Sequence, residues 1–329
     1  MSTYQPPFVI TPLILNQVIE VGELMGHWAA MAGRTSPLLR KENRIRTIQA
    51  SLAIEHNSLT TEQVTALMEG KRILAPAKDI QEVRNAILAY EKMSEWKSEK
   101  LSDLLQAHRV LMLGLVDNPG QLRTGNVGVY REKQLIHMTP PASQVFRLMN
   151  DLLGWLKTTE LHPLIAGAVF HYEFEFIHPF ADGNGRMGRL WQTLILREWR
   201  SELAWLPVET LIHYQQDRYY QVLGQCDRQS SCTPFIEFIL ENIISALQEG
   251  LGKSSALSEE MSEEMSPDLL DIEKRILQIL SNHPGRSAKS IADECELSAR
   301  TVERYLKALQ LKGKLQRVGA TKGGMWRLL

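Results

Sequence analysis

The sequence predicts a mainly α-helical protein that carries one β-hairpin and ends in a small α+β domain of three helices and a two-stranded wing. Three observations lead there. Apolar residues recur at helical spacing through most of the first 250 positions. One stretch, Gly125 to Pro141, reads as extended instead. After an acidic interval, residues 268–329 start a new pattern of opposite charge.

Residues 1–100 form a helical region. Within it, Glu42 to Asn57 places Ile45, Ile48 and Leu52 at i, i+3 and i+7, an amphipathic helix with Ser51 and Glu55 four apart on another face. Pro76 and Pro119-Gly120 mark loops. Residues 101–250 are a second helical block. There Val127, Val129, Leu135 and Ile136 surround the charged tip Arg131-Glu132-Lys133, a hairpin that stops at Pro140-Pro141. Leu164, Ile165, Val169 and Phe170 define a helix expected to pack under the loop that begins at His178. Residues 251–267 hold the acidic near-repeat Ser258-Glu259-Glu260-Met261 and Ser262-Glu263-Glu264-Met265, a linker that is itself compatible with helix.

The run from His178 to Arg189 concentrates the chemistry. Asp182 is a hard oxygen donor suited to magnesium, which takes one or two carboxylates and fills its other positions with water and phosphate. Gly183 and Gly185 flank Asn184, so the backbone can adopt positive φ and aim successive N–H groups at an anion. Met187, Leu190, Trp191 and Leu194 then recur at helical spacing, which puts this nest at a helix N-terminus, where dipole and free amides favour phosphate. Arg186 and Arg189 share a helix face and can grip phosphate oxygens with forked donors. His178 is a candidate general base, since an ordinary imidazole titrates near 6.5.

In order, these residues match the signature HxFx(D/E)GNGRxxR at every fixed position, and the sequence therefore resembles the Fic-domain family. The resemblance implies a helical Fic core that moves AMP from ATP to a Ser, Thr or Tyr hydroxyl of a target protein. His178 would deprotonate the hydroxyl. Asp182 would hold Mg2+, and Asn184 with the Gly183 and Gly185 amides would bind phosphate. Arg186 and Arg189 would hold the outer phosphates, and Phe180 would turn inward. Gly183, Asn184, Gly185, Arg186, Met187, Gly188, Arg189 and Tyr219 are the implied nucleotide contacts, together with Leu135, Ile136, His137 and Met138 of the hairpin. Relatives that phosphorylate carry Lys at the second motif glycine, so the intact Gly185 favours AMP transfer. Asp227 stands where relatives often have Asn.

Two further segments fit the resemblance. The hairpin at 125–141 looks like the Fic flap, an edge on which an extended target segment adds as a strand. Ser51 to Asn57 resembles the (S/T)xxxE(G/N) inhibitory helix, here at about 42–57, whose Glu pairs with the last motif Arg. That implies a Glu55–Arg189 contact in place of the γ-phosphate. His56 departs from the pattern, where Gly or Asn is expected. The same Glu55 could instead orient a water that removes AMP.

Residues 268–329 complete the sequence. Ile272, Ile276, Leu277 and Leu280 mark one helix, Ser287, Ile291 and Ala292 a second, and Ser298 caps a third with Val302, Leu306 and Leu309. Gly313 to Trp326 reads as a two-stranded wing, and the segment looks like a winged helix-turn-helix domain. Arg300, Arg304 and Lys307 line one face of its third helix. Twelve Lys or Arg stand against seven Asp or Glu, +5 in a chain of -1 overall. That balance suits DNA or a protein partner. The 329 residues are 44% hydrophobic, with no long apolar run and no basic leader, so neither a membrane span nor a secretory signal is expected. Cys226, Cys232 and Cys295 are too few for a disulfide framework, and the expected compartment is the reducing cytoplasm. Similar proteins are often dimers, which makes a homodimer one implied assembly. Two functions stay open: a self-inhibited adenylyltransferase, or a nucleotide-sensing DNA-binding regulator with little catalysis.

Overall fold

A computed structural model describes residues 4–31, 37–131, 134–264, 267–295, 297–311, 314–318 and 325–328. It divides into two compact units, Met1–Gly252 and Lys253–Leu329. The first contains α1 (Pro12–Met31), α2 (Pro37–Ala53), α3 (Thr61–Met68), α4 (Ala77–Lys92) and α5 (Leu101–Met112). The hairpin β1 (Gly128–Arg131) and β2 (Gln134–Met138) comes next, followed by α6 (Ala142–Thr158), α7 (Pro163–Ile177) and α8 (Asn184–Trp199). The helices α9 (Val208–Tyr214), α10 (Gln216–Gln229) and, as far as Gly252, α11 (Thr233–Glu264) complete it. Of the linker candidate 251–267, residues 251–264 are helical and belong to α11, and residues 265 and 266 lie outside the described residues.

The helix α7 is the centre of this unit, buried continuously from Leu164 to Phe174. A helix apolar all round has to be surrounded, and α8 and α6 pack against it with α5 beyond. Pro163 at the first turn and the His162 side chain, which accepts from the Leu164 N–H, start it. Gly188 lets α8 approach: a Cβ there would lie 2.7 Å from Glu175 Oε1 and 2.9 Å from the His171 ring of α7. The strands pair antiparallel, Gly128 opposite Met138 and Arg131 opposite Gln134, with an irregularity between Val129 and Tyr130. Their tip residues 132 and 133 lie outside the described residues.

The helix expected over 42–57 lies over Pro37–Ala53, starting and ending earlier than expected. It stops at Ala53, because the chain closes it with a Schellman turn. His56 N–H donates to Ala53 O and Asn57 N–H to Leu52 O, and His56 takes the left-handed conformation at φ 67°. Glu55 therefore projects from the capping turn.

The second unit holds α12 (Pro267–Asn282), α13 (Ala288–Cys295), α14 (Ala299–Leu311), β3 (Leu315–Val318) and β4 (Met325–Leu328). Ile276, Leu280, Ile291, Val302, Leu309 and Trp326 are among its buried core. Ser298 Oγ accepts from the Thr301 N–H and caps α14. β3 and β4 pair antiparallel, Leu315 opposite Leu328, the ladder of a wing whose turn 319–324 lies outside the described residues. So do the side chains of Arg300 and Arg304, while Lys307 is exposed.

Candidate active site

The site is built where α7 ends and α8 begins. His178 caps α7 in the left-handed conformation (φ 50°, ψ 62°), its N–H bonded to Phe174 O. Pro179 follows, so the helix cannot resume. Phe180 turns into the core, fully buried, and stacks on the His108 ring at 3.7 Å with 5° between planes. His108 holds the loop a second way: its Nδ1 accepts from the Gly120 N–H at 2.8 Å and its Nε2 donates to Asp182 O at 3.0 Å. Burial pushes the His108 pKa down to about 4, so this tautomer is neutral at physiological pH.

Gly183 is the N-cap of α8 at φ 81°, a conformation only glycine takes without strain. A Cβ there would also collide with Met112, 2.6 Å from its sulfur. Asn184 does not present its side chain to a ligand. Its Oδ1 accepts from the Phe180 N–H and its Nδ2 donates to Phe180 O, so it braces the loop from a position 2% exposed. Met187 is fully buried in the core, and its side chain is no part of the site wall. Gly188 serves helix packing, as described above. Side chains of Leu135, Ile136 and His137 lie outside the described residues, and Met138 is exposed.

A cleft with about 740 Å³ of empty space, open to solvent, runs along this loop. Its walls include His178, Gly185, Arg189, Glu55, Tyr219 and Asp227. Tyr172, Glu175 and Phe176 of α7 and Tyr220, Leu223 and Gly224 of α10 complete the lining. Most of these were missed from the sequence, although Tyr172 and Phe176 are four apart and Tyr220, Leu223 and Gly224 lie three and four apart, spacings that align side chains on one helix face. Tyr219 is 2% exposed and its hydroxyl bonds to His171 Nε2 at 3.2 Å. Burial pulls the His171 pKa down to about 3, so its neutral ring accepts there while Nδ1 meets Gln192 Oε1. Tyr172 donates to Asp227 Oδ1 at 2.8 Å, and burial followed by that bond raises the phenol's pKa.

Both motif arginines are held by carboxylates. Arg189 donates from Nη2 to Glu55 Oε1 at 2.8 Å and to Ser51 O at 2.9 Å, and from Nε to Ser51 Oγ at 3.1 Å. Burial opposes its charge, but Glu55, with smaller contributions from neighbouring groups, offsets this and the guanidinium remains ionised. A Cβ on Gly185 would collide with Glu55 Oε1, so glycine is also what admits this contact. Arg186 lies 6% exposed, with Nη1 3.2 Å from Glu82 Oε1 and Nη2 3.4 Å from Asp182 Oδ1. Glu82, on α4, accepts in turn from Asn57 Nδ2 at 2.8 Å. Sequence reading missed Glu82.

The Asp182 side chain is 57% exposed. Its Oδ1 also accepts from the Gly183 N–H at 2.6 Å. Among the described residues no cluster of three or more His, Cys, Asp or Glu could cage a metal. One accessible carboxylate beside a glycine nest nevertheless fits magnesium, whose other ligands are ordinarily water and substrate phosphate.

Comparison with known proteins accounts for these features together. Residues 98–196 match the Fic/DOC family, and residues 269–316 match a winged helix-turn-helix DNA-binding family. The chain is similar to the crystal structure of a Fic family protein from Desulfovibrio desulfuricans G20, 46% identical, with 99% of this chain and 98% of that one covered and a TM-score of 0.75. It is 30% identical over 214 residues to protein adenylyltransferase Fic of Nematostella vectensis, covering 60% of this chain and 47% of that protein. It is 27% identical over 253 residues to protein adenylyltransferase fic-1 of Caenorhabditis briggsae, covering 72% and 47%. The chain thus spans about half the length of the curated relatives it matches. With near-complete coverage by one solved relative and a full motif at the end of its central helix, the chain belongs to the Fic family.

Proposed function

We propose that this chain is a magnesium-dependent protein adenylyltransferase held in check by Glu55. The observation that carries the proposal is Arg189: a buried cation on the cleft wall, near the glycine nest, bonded to a carboxylate from another segment of the chain. In AMP transfer from ATP, a target hydroxyl attacks the α-phosphorus as His178 takes its proton. A new P–O bond forms, the bond to the bridging oxygen breaks, pyrophosphate leaves, and the proton passes from His178 to solvent. The Gly183–Gly185 amides at the α8 N-terminus hold phosphate, and Arg189 holds the outer phosphate once Glu55 releases it. Asp182 would hold Mg2+, which supplies charge neutralisation on the leaving pyrophosphate. The apolar slot between α7 and α10, with Tyr219 and the Asp227 carboxylate, suits the base. The assigned regions are the inhibitory segment 42–57, the Fic domain 101–250 with its flap at 125–141, and the winged domain 268–329.

We further propose that the target protein docks on the edge of the hairpin and that the second unit contacts DNA, for which its matched family speaks. A reducing cytoplasm suits its cysteines, all thiols, two of them buried. No described helix is long and apolar enough to cross a membrane.

The test is retention of label from α-phosphate-labelled ATP on protein, with Mg2+ and cell lysate, for the wild type, Glu55→Gly and Glu55→Gly/His178→Ala. Label on Glu55→Gly that falls about 10²- to 10⁴-fold with His178→Ala supports the proposal. Absence of label from Glu55→Gly, with specific duplex binding that responds to ATP, would replace it with a nucleotide-sensing regulator.

A further inference from the structure

Arg123 is a buried cation, 6% exposed, that pairs with no carboxylate among the described residues. A charge removed from water without a counter-ion is costly unless polar groups surround it. Here five oxygens do. Nε donates to His178 O at 2.7 Å, Nη1 to Gly125 O at 2.9 Å, and Nη2 to Pro140 O at 2.6 Å, with Thr139 Oγ1 at 3.2 Å and Ile177 O at 3.3 Å. Its own N–H donates to Pro179 O at 2.9 Å.

These acceptors belong to three places. Ile177 and His178 end α7, where unpaired carbonyls and the negative end of the helix dipole attract a cation. Gly125 leads into β1. Thr139 and Pro140 follow β2, and Thr139 Oγ1 donates onward to Val127 O at 2.5 Å, closing the base of the hairpin. One guanidinium therefore joins both feet of the hairpin to the backbone of His178. Lysine, a point charge with three donors on one atom, cannot span that fork.

We propose that Arg123 is a positioning residue that keeps the hairpin in register with His178, so that a target segment held by the hairpin presents its hydroxyl to the imidazole. This rests on the proposed AMP transfer. Binding of ATP should depend on it far less than transfer does, because the phosphate-binding nest and Arg189 lie on α8 and make none of its contacts.

The test compares Arg123→Lys, Arg123→Ala and Thr139→Val in the full chain carrying Glu55→Gly, by hydrogen exchange, Mg·ATP calorimetry and transfer of labelled AMP to the chain itself and to a random-sequence peptide pool containing Ser, Thr and Tyr. In Arg123→Lys, exchange at residues 125–141 and 177–180 should quicken about ten- to a hundredfold, the range for a lost charge-assisted hydrogen bond, while α8 amides and ATP affinity hold within about twofold. Transfer should fall about 10²-fold, the loss expected from a 1 Å misplacement, and millimolar methylguanidinium should restore part of it in Arg123→Ala. Thr139→Val should raise the peptide KM severalfold with kcat unchanged. Unchanged exchange in both segments, or loss of ATP affinity in step with transfer, would overturn the proposal. If the Glu55→Gly parent carries no label, the transferase reading fails while the exchange arm still decides whether Arg123 couples hairpin and loop. Should Arg123→Lys not fold, Thr139→Val decides by the same exchange and KM readouts.

Discussion

Replacing Glu55 by Gly should activate transfer and destabilise the ligand-free protein at once. The Glu55–Arg189 pair is a charge-assisted bond of 2.8 Å with Arg189 1% and Glu55 32% exposed. Bonds of that type contribute about 1.5–3 kcal/mol net. Arg189 keeps its two bonds to Ser51, so the guanidinium is not stranded, and a value of about 2 kcal/mol is reasonable. If that free energy holds Arg189 away from phosphate, its removal should raise transfer about 30-fold at limiting ATP, given tenfold per 1.4 kcal/mol. The same loss should lower the ligand-free Tm by about 4–8 °C in a unit of this size, and saturating Mg·ATP should recover most of it. Glycine adds little backbone penalty, since Glu55 lies in the turn beyond the helix. Labelled-AMP transfer and a thermal melt with and without Mg·ATP read both effects. Transfer that does not rise in a folded variant still stabilised by Mg·ATP would refute the reasoning, because Arg189 would then be free and inert.

Other expectations follow from neighbouring contacts. Glu82→Gln should cost about 2–3 kcal/mol by urea denaturation: breaking a buried pair costs about 3–5, and Asp182 remains beside Arg186. Asn57→Ala should be non-additive with it, since both act through the same carboxylate. Gln216→Ala removes a 2.8 Å bond to Ile54 O and should raise wild-type transfer several times less than Glu55→Gly does. Stability should fall as pH drops below about 6.5 toward 4, because His108 and His171 titrate near 4 and 3 when folded while the unfolded chain takes up their protons, about 1.4 kcal/mol per pH unit each. The buried Glu173 and Glu209, both raised, act with the opposite sign, stabilising below the carboxylate range and less so above it, and His171→Gln should remove about half of the histidine-driven loss, with His108 supplying the rest. For the second unit, neutralising Arg300, Arg304 and Lys307 should reduce the salt slope of duplex binding by up to about 3; a wild type with no salt-dependent duplex binding would mark that unit as a protein-binding module.

The motif was legible because its chemistry is local. Positive φ at Gly183, a helix starting at Asn184 and two arginines three apart are properties of a contiguous string. Arg123, Glu82 and His108 were not legible, since their partners are backbone carbonyls or residues far along the chain, and a carbonyl has no letter. Met187 and Asn184 show the converse: membership of the motif does not say which way a side chain points, and burial in the core settled the first while two bonds to Phe180 settled the second. His56 looked like a departure from the inhibitory pattern. Its φ of 67° shows what the position asks for, a residue that tolerates the left-handed region, and His is among those enriched there after Gly and Asn. Helical periodicity could not reveal this, because Ile45, Ile48 and Leu52 all precede the turn.

That turn also limits how Arg189 can be released. Ile54 is 1% exposed with its carbonyl bonded to Gln216 of α10, and Asn57 is tied to Asp79 O and Glu82 of α4. The backbone on either side of Glu55 is therefore pinned to two different helices, and swinging it away would break these bonds and the Schellman pair together. Rotation of the Glu55 side chain breaks one bond and moves a carboxylate already 32% exposed. Arg186 stays paired with Glu82 through such a rotation, since Asn57 does not move. Release by rotation thus frees the guanidinium nearest the cleft while leaving the anchor beneath Asp182 intact, whereas release by unfolding the turn would loosen both arginines.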